Sequence, residues 1–153
     1  MNNLDDLPRG GTICLGNAGL AVDASAKEDA ETLADFPYAI NGLTYTLTSG
    51  DGDVKLDGNT VTSLYTVIFL VCVSSTGTIT VVKGTEVLNA DLAAGTKVLH
   101  WPTPTANTCP IGALKIKNAS GSVFTGGTTA LDATNITTTY YNCVCVPVAP
   151  LTS

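Results

Sequence analysis

The pattern of apolar and polar positions predicts β-structure from Phe36 to the end of the chain. Short runs rich in Thr, Val, Ile and Tyr alternate there with turn signals such as Asn41-Gly42 and Ser120-Gly121. Apolar residues at every second position, bounded by glycine-containing turns, are typical of β-strands. Because many short strands follow one another, we expect an all-β fold, with a single β-sandwich or jelly-roll-like domain over residues 36–153.

The most apolar strand is predicted over Ser63 to Val73. A strand that is apolar on both faces lies at the centre of a sheet, or has one face in the core and the other against a partner. The run is about half as long as a membrane-spanning helix, so we expect no membrane insertion. Its alternation places Leu64, Ile68, Leu70 and Cys72 on one face, and Tyr65, Val67, Phe69, Val71 and Val73 on the other.

Further strands are predicted on the same grounds, with a short turn of helix allowed in the connection Val87 to Leu99. In the last strand, Ile136 and Tyr140 fall on one face, and Tyr141 and Cys143 on the other. The additional predicted strands are Leu43 to Leu47, Val54 to Leu56, Thr78 to Lys83, Ala113 to Lys117 and Ile136 to Val148.

The N-terminal part has a different texture. Residues 1–22 mix Gly, Asn and Pro with isolated apolar residues and show no period, which predicts an extended N-terminal arm that needs a partner. Residues 23–35 contain good helix formers but almost no apolar stripe beyond Leu33. We expect a short helix or a linker there.

Charge divides the chain in a similar way. Only 13% of residues are charged, against about 25% in an ordinary soluble domain. Residues 1–57 hold ten of the thirteen acids and have a net charge of −7, whereas residues 58–153 have +1. A polar surface with few charges suits a β-domain solvated by hydroxyl groups, or one partly covered by other protein. No basic stripe is present, which disfavours direct nucleic-acid binding.

Candidate chemical sites are few. The five cysteines include no C-x-x-C pair, so we expect buried free thiols rather than a metal site, with a Cys143–Cys145 disulfide at the limit of reach. His100 stands beside Trp101 without a nucleophile motif, and we expect it to be structural. We expect neither a cofactor nor enzymatic activity. The second half offers only Glu86, Asp91 and Asp132 as acids.

One loop has a composition suited to contact with another protein. Residues 124–133 combine an apolar anchor, Phe124, with a glycine pair, Thr128, Thr129, Leu131 and Asp132. Glycine permits unusual backbone geometry, and hydroxyl and carboxylate groups satisfy backbone donors. The segment is either a well-made connection between strands or a contact loop on a rigid scaffold.

Four segments in this order resemble the head decoration (cement) proteins of tailed bacteriophages, which are related to head-fibre proteins. They span about residues 36–140. Residues 1–35 lie outside the resemblance. The segments are residues 36–45 (FPYAINGLTY), the apolar strand with residues 75–84 (STGTITVVKG), residues 110–121 (PIGALKIKNASG) and residues 124–133 (FTGGTTALDA).

The resemblance implies a β-sandwich, commonly a homotrimer, on the outer surface of an icosahedral virion and bound to the major capsid protein. No secretory signal is visible, so we expect synthesis in the host bacterial cytoplasm. We expect the arm to contact the capsid. We expect the 64–73 strand and the 124–133 loop to contact other subunits of the trimer. The residues predicted at interfaces are Leu4, Ile13, Leu15, Tyr65, Val67, Phe69, Phe124, Thr128, Thr129, Leu131 and Asp132.

The alternative is a head-fibre or adhesion module that binds host-surface carbohydrate. Trp101 together with Tyr140 or Tyr141 would supply the aromatic surface that sugar binders use. A glycan-degrading enzyme is the least favoured class, because acid–base groups are scarce.

Overall fold

A computed structural model describes residues 11–50 and 52–143 of the chain. The fold is nearly all β, with 44% strand and 4% helix, which confirms the all-β prediction. Every strand pair is antiparallel. In chain order the elements are β1 (Ile13–Cys14), β2 (Leu20–Val22), β3 (Ala30–Thr32), β4 (Phe36–Ile40), β5 (Leu43–Leu47), β6 (Thr60–Val61), β7 (Tyr65–Ser74), β8 (Ile79–Lys83), β9 (Val87–Leu88), α1 (Asn89–Ala93), β10 (Thr108–Asn118), β11 (Phe124–Thr125) and β12 (Ile136–Asn142).

Two sheets face each other across the core. The main sheet has the order β12-β10-β7-β8, and β9 pairs with the beginning of β7. The small sheet has the order β1-β4-β5. Two further pairs, β2 with β3 and β6 with β11, complete the architecture. Buried side chains from both sheets form one cluster, as expected for a sandwich.

Strand β7 is central and apolar on both faces, as predicted. Val67, Phe69, Val71 and Val73 are fully buried in the cluster between the sheets. The side chains of the other face form a second cluster with Ala113, and Val82 and Leu99 pack against it. The chain's own residues therefore cover the apolar side chains on the second face of β7. The members of this second cluster from β7 are Ile68, Leu70 and Cys72.

The prediction of an extended N-terminal arm is wrong for residues 11–22, the part of it that the structure describes. Between Gly11 and Val22 the chain forms β1, which pairs with β4, and β2. Cys14, Ala18 and Leu20 are buried, and the Leu20 amide donates a hydrogen bond to Asn142 Oδ1 at 2.9 Å. These isolated apolar residues thus fill separate places in the core of the sandwich, which is why the sequence shows no hydrophobic period there. Leu4 lies outside the described residues.

Of the two alternatives expected for residues 23–35, a short helix or a linker, the helix is not formed. Strands β2 and β3 form a hairpin, and the Asp23 carboxylate accepts hydrogen bonds from the Ser25 amide at 2.6 Å and the Ala26 amide at 3.1 Å. This side chain offers the backbone an alternative to helix. Ala30 and Thr32 gain burial only as strand residues, since the segment has no apolar stripe for a helix to pack.

Most other predicted elements are present. Strand β5 has the predicted bounds, and α1 lies in the connection where a turn of helix was allowed. Instead of a strand over residues 54–56, Val54 forms a single bridge with Ala30. The last strand ends at Asn142, and the rest of its predicted range after Cys143 lies outside the described residues.

Candidate interaction surface

The loop over residues 124–133 is anchored in the core. Phe124 is fully buried and Leu131 is 2% exposed, so neither side chain is available to another subunit, contrary to expectation. A Cβ atom at position 126 would overlap the carbonyl oxygen of Leu56, and Gly127 has a φ of 72°. The apolar anchors and the glycines serve the loop's own packing, as in a well-made connection.

Residues 131 and 132 of this loop fasten the β2–β3 hairpin to the rest of the sandwich. The Leu131 amide donates to the carbonyl of Lys27 at 2.8 Å, and Lys27 Nζ pairs with Asp132 Oδ2 at 2.6 Å. Thr129 Oγ1 accepts a hydrogen bond from the Thr125 amide at 3.1 Å. Thr128 and Asp132 remain exposed, so they are the members of the predicted set in this loop that a partner can reach.

Two predicted interface residues of β7 are likewise internal. Val67 and Phe69 are fully buried between the sheets, which corrects their assignment to a subunit contact. Their face of β7 is the one that packs on the small sheet. Tyr65, at the start of the strand, is partly buried against the same cluster.

The predicted residues Ile13 and Leu15 lie on the same outer side of the small sheet. Ile13 pairs with Ala39, and the Leu15 amide donates to the Pro37 carbonyl at 2.9 Å. Directly opposed residues of antiparallel strands share a face. On the next strand, Thr44 opposes Ala39 and Thr46 opposes Pro37. We call the side of the small sheet that turns away from the core the small-sheet face. It consists of Ile13, Leu15, Pro37, Ala39, Thr44 and Thr46.

The small-sheet face combines an apolar centre with hydroxyl groups. Leu15 is 44% exposed, Pro37 is exposed and Ala39 is nearly covered. None of the described residues that form this face carries a charge. A surface of this composition resembles the charge-depleted centre of a protein–protein interface. Sequence reasoning missed Pro37 and Ala39, because only the pairing of β1 with β4 places them beside Leu15.

An aromatic pair lies on the opposite side of the sandwich. The rings of Trp101 and Tyr141 are 5.8 Å apart and nearly perpendicular, and the two side chains are 46% and 37% exposed. Tyr140 points to the core side instead, and burial raises its pKa to about 12. Of the aromatic combinations expected for sugar binding, the structure brings together Trp101 and Tyr141.

The cysteines form no reactive site in the described chain. Cys72, Cys109 and Cys143 are free thiols, and Cys72 and Cys109 are fully buried. Burial, followed by the neighbouring Cys14, raises the pKa of Cys109 to about 12. At neutral pH this group is a protonated thiol, which is a poor nucleophile. Cys145 lies outside the described residues, and with it the Cys143–Cys145 pair.

His100 and Trp101 are both exposed, so the expected structural histidine beside a packed tryptophan is not observed. Within residues 11–50 and 52–143, no group of three or more His, Cys, Asp and Glu side chains is placed to hold a metal ion. No helix in the same part of the chain is long and apolar enough to cross a membrane. Comparisons with protein-family models, curated proteins and solved structures found no match.

Proposed function

We propose that the protein is a non-enzymatic structural component of a bacteriophage virion that binds the outside of the capsid. The small-sheet face carries this proposal, because it presents an apolar centre without charge on a three-stranded sheet. The order of the four sequence segments that resemble decoration proteins supports the same function. In this hypothesis the small-sheet face docks on the major capsid protein, and the protein associates as a trimer.

The size of the molecule is compatible with such contacts. A standard interface buries about 800 Å² on each partner, about a tenth of the 8633 Å² surface of this chain. Many copies on one shell would add avidity, so that each contact can be modest. The small-sheet face itself contains no charged residue, which lowers the desolvation cost of covering it.

Capsid binding is tested by mixing the purified protein with capsids that lack it and measuring occupancy after co-sedimentation. We expect Leu15→Gln to weaken binding at least about tenfold, since a buried leucine side chain contributes about 1.5–3 kcal/mol. The matched control is Val98→Gln, a similarly exposed aliphatic residue outside the small-sheet face. If both variants lost capsid binding equally, or if neither lost it, the small-sheet face would be removed from the proposal.

Self-association is tested separately by sedimentation of the protein alone. A trimer has three times the 15.6 kDa mass of the chain. A monomer at every concentration would contradict the trimer but leave capsid docking open to the binding assay.

The second candidate is an adhesion module for host-surface carbohydrate. The exposed Trp101–Tyr141 pair favours it, because sugars stack on exposed aromatic faces. Glycan-array binding that is lost in Trp101→Ala and retained in Leu15→Gln would select this function over capsid docking.

A further inference from the structure

A cleft of about 290 Å³ lies between α1 and the outer face of the main sheet. It is separate from both the small-sheet face and the aromatic pair. Strands β7 and β10 provide its floor, and α1 and the following segment provide its wall. The lining residues are Thr66, Asn89, Leu92, Ala93, Leu99, Lys115 and Lys117.

The two lysines of the cleft stand side by side on one face of β10. Two residues apart in a strand corresponds to about 6.6 Å. Lys115 lies between Ile68 and Thr139, and Lys117 lies between Thr66 and Thr137 on the flanking strands. These cross-strand neighbours include no carboxylate, so the sheet itself does not neutralise the two positive charges.

Three other lysines of the molecule are neutralised by acids. Lys27, Lys83 and Lys97 each hold a carboxylate oxygen at 2.6–2.8 Å. Asp91 on α1, the acid nearest in sequence to the cleft wall, is the partner of Lys97. Within the described chain, Lys115 and Lys117 have no ion pair. Two adjacent cations without a counter-charge repel each other and attract an anion.

The rest of the lining is fixed and largely apolar. Thr66 Oγ1 donates to Asn89 Oδ1 at 2.6 Å, and Asn89 Nδ2 donates to the Asn118 carbonyl at 2.9 Å. These bonds hold the floor in place and leave the Thr66 oxygen able to accept a further hydrogen bond. Leu92, Ala93 and Leu99 form an aliphatic wall. A site with an apolar body and a few fixed polar groups is typical of small-molecule pockets.

We propose that this cleft binds a small aliphatic carboxylate, with the carboxylate between Lys115 and Lys117 and the hydrocarbon against Leu92 and Leu99. At about 30 Å³ per water-sized group, the volume holds a ligand of about ten non-hydrogen atoms. A carboxylate presents two oxygens to two cations and a hydrocarbon chain to the wall. A phosphate would leave oxygens against the aliphatic side chains without donors. The site is independent of the proposed capsid function.

The test uses isocaproate as the probe and isocaproamide, which has the same shape but no charge, as its matched control. Both are titrated into the full chain while amide NMR shifts are followed. We expect saturable shifts at Asn89, Leu92 and Leu99 with isocaproate, and at least about tenfold weaker binding of isocaproamide, since a charge-assisted hydrogen bond contributes about twice as much as a neutral one.

The variants are Lys115→Gln with Lys117→Gln, and Lys55→Gln as a control that removes one exposed lysine outside the cleft. The double variant should lose the isocaproate shifts, whereas Lys55→Gln should keep them. Unchanged spectral dispersion verifies that each variant is folded. Equal binding of acid and amide, an unaffected double variant, or no saturable shift at the solubility limit would each overturn the proposal.

Discussion

At the scale of single residues, the fit of the 124–133 loop depends on the absence of a side chain at position 126. The Leu56 carbonyl approaches the Gly126 Cα so closely that a methyl group there would overlap backbone atoms. Backbone cannot move aside as a flexible side chain can. This contact sets how near the loop lies to the segment beneath it.

We expect Gly126→Ala to destabilise the protein by about 2–3 kcal/mol, because the overlap forces backbone displacement. Gly121→Ala is the control, since a Cβ there meets nothing within 4 Å. It should change stability by less than about 0.5 kcal/mol. Urea unfolding of both variants measures the difference, and similar values would show that the loop adjusts freely.

Asp29 makes stability depend on pH. Burial, its largest influence, raises the pKa of this carboxyl above the ordinary value, and one of its oxygens has no hydrogen-bond partner. The unfolded chain therefore releases the proton at a lower pH than the folded chain does. Stability falls as pH rises from the unfolded pKa through the folded one.

The corresponding prediction is that Asp29→Asn stabilises the protein at neutral pH and has little effect below about pH 3.9, the ordinary pKa of aspartic acid. Melting temperatures of both proteins across this range provide the measurement. A variant that is less stable than the original at neutral pH would contradict the unfavourable ionisation.

At the scale of elements, the β2–β3 hairpin is an integral part of the sandwich. Its first residue, Leu20, is 5% exposed and belongs to the main cluster, and a Cβ on Gly112 would meet its side chain. The turn of the hairpin is also held in place. The Lys27 carbonyl accepts a hydrogen bond from the Leu131 amide, and the Lys27 side chain pairs with Asp132. The N-terminal strands thus contribute to stability.

Leu20→Ala is expected to cost about 2–5 kcal/mol, the range for truncating a buried leucine. Leu33→Ala, at a side chain that is 60% exposed, should cost less than about 0.5 kcal/mol. Chemical denaturation of the two variants separates these values. If Leu20→Ala behaved like Leu33→Ala, the segment before residue 23 would be dispensable for folding.

The alternation of side chains allowed the sheet strands to be predicted but not the N-terminal ones. Strand β7 is long enough for period two to show on both faces, and both faces are buried as that pattern predicts. Strands β1 and β2 have two and three residues, too few for any period. The pairing of Ile13 with Ala39 depends on contacts 26 positions apart in sequence, which local patterns cannot specify.

The same reason applies at the candidate surface. Ile13 and Leu15 were predicted as contact residues of the N-terminal segment, and they lie on the outer side of the small sheet, where their contact with a partner stays a prediction. Phe124 and Leu131 were chosen for their apolar character, which equally suits a core. Composition alone does not distinguish an apolar side chain that anchors its own loop from one that awaits a partner.

At the scale of the whole molecule, the thiols report on global unfolding. Cys72 and Cys109 are fully buried on opposite faces of the main sheet, one in each apolar cluster. A reagent reaches Cys109 only when the sandwich opens, and it reaches Cys72 only when the residues that pack over the outer face of the main sheet move away.

We expect all five cysteines to titrate in denaturant, whereas Cys72 and Cys109 react in the native protein only at the rate set by opening. Alkylation with iodoacetamide, followed by mass spectrometry of the peptides, distinguishes the sites. Rapid native modification at Cys109 would be inconsistent with the closed sandwich, and fewer than five thiols after unfolding would indicate a disulfide.

The hydrogen bond from the Leu20 amide to Asn142 joins residues 122 positions apart. During synthesis the ribosome releases the chain from its N-terminus, so the first strands emerge long before the strand that receives them. Pairings this distant also make folding slow. The sandwich therefore closes only after β12 has been made, and until then the apolar strand β7 is exposed to aggregation.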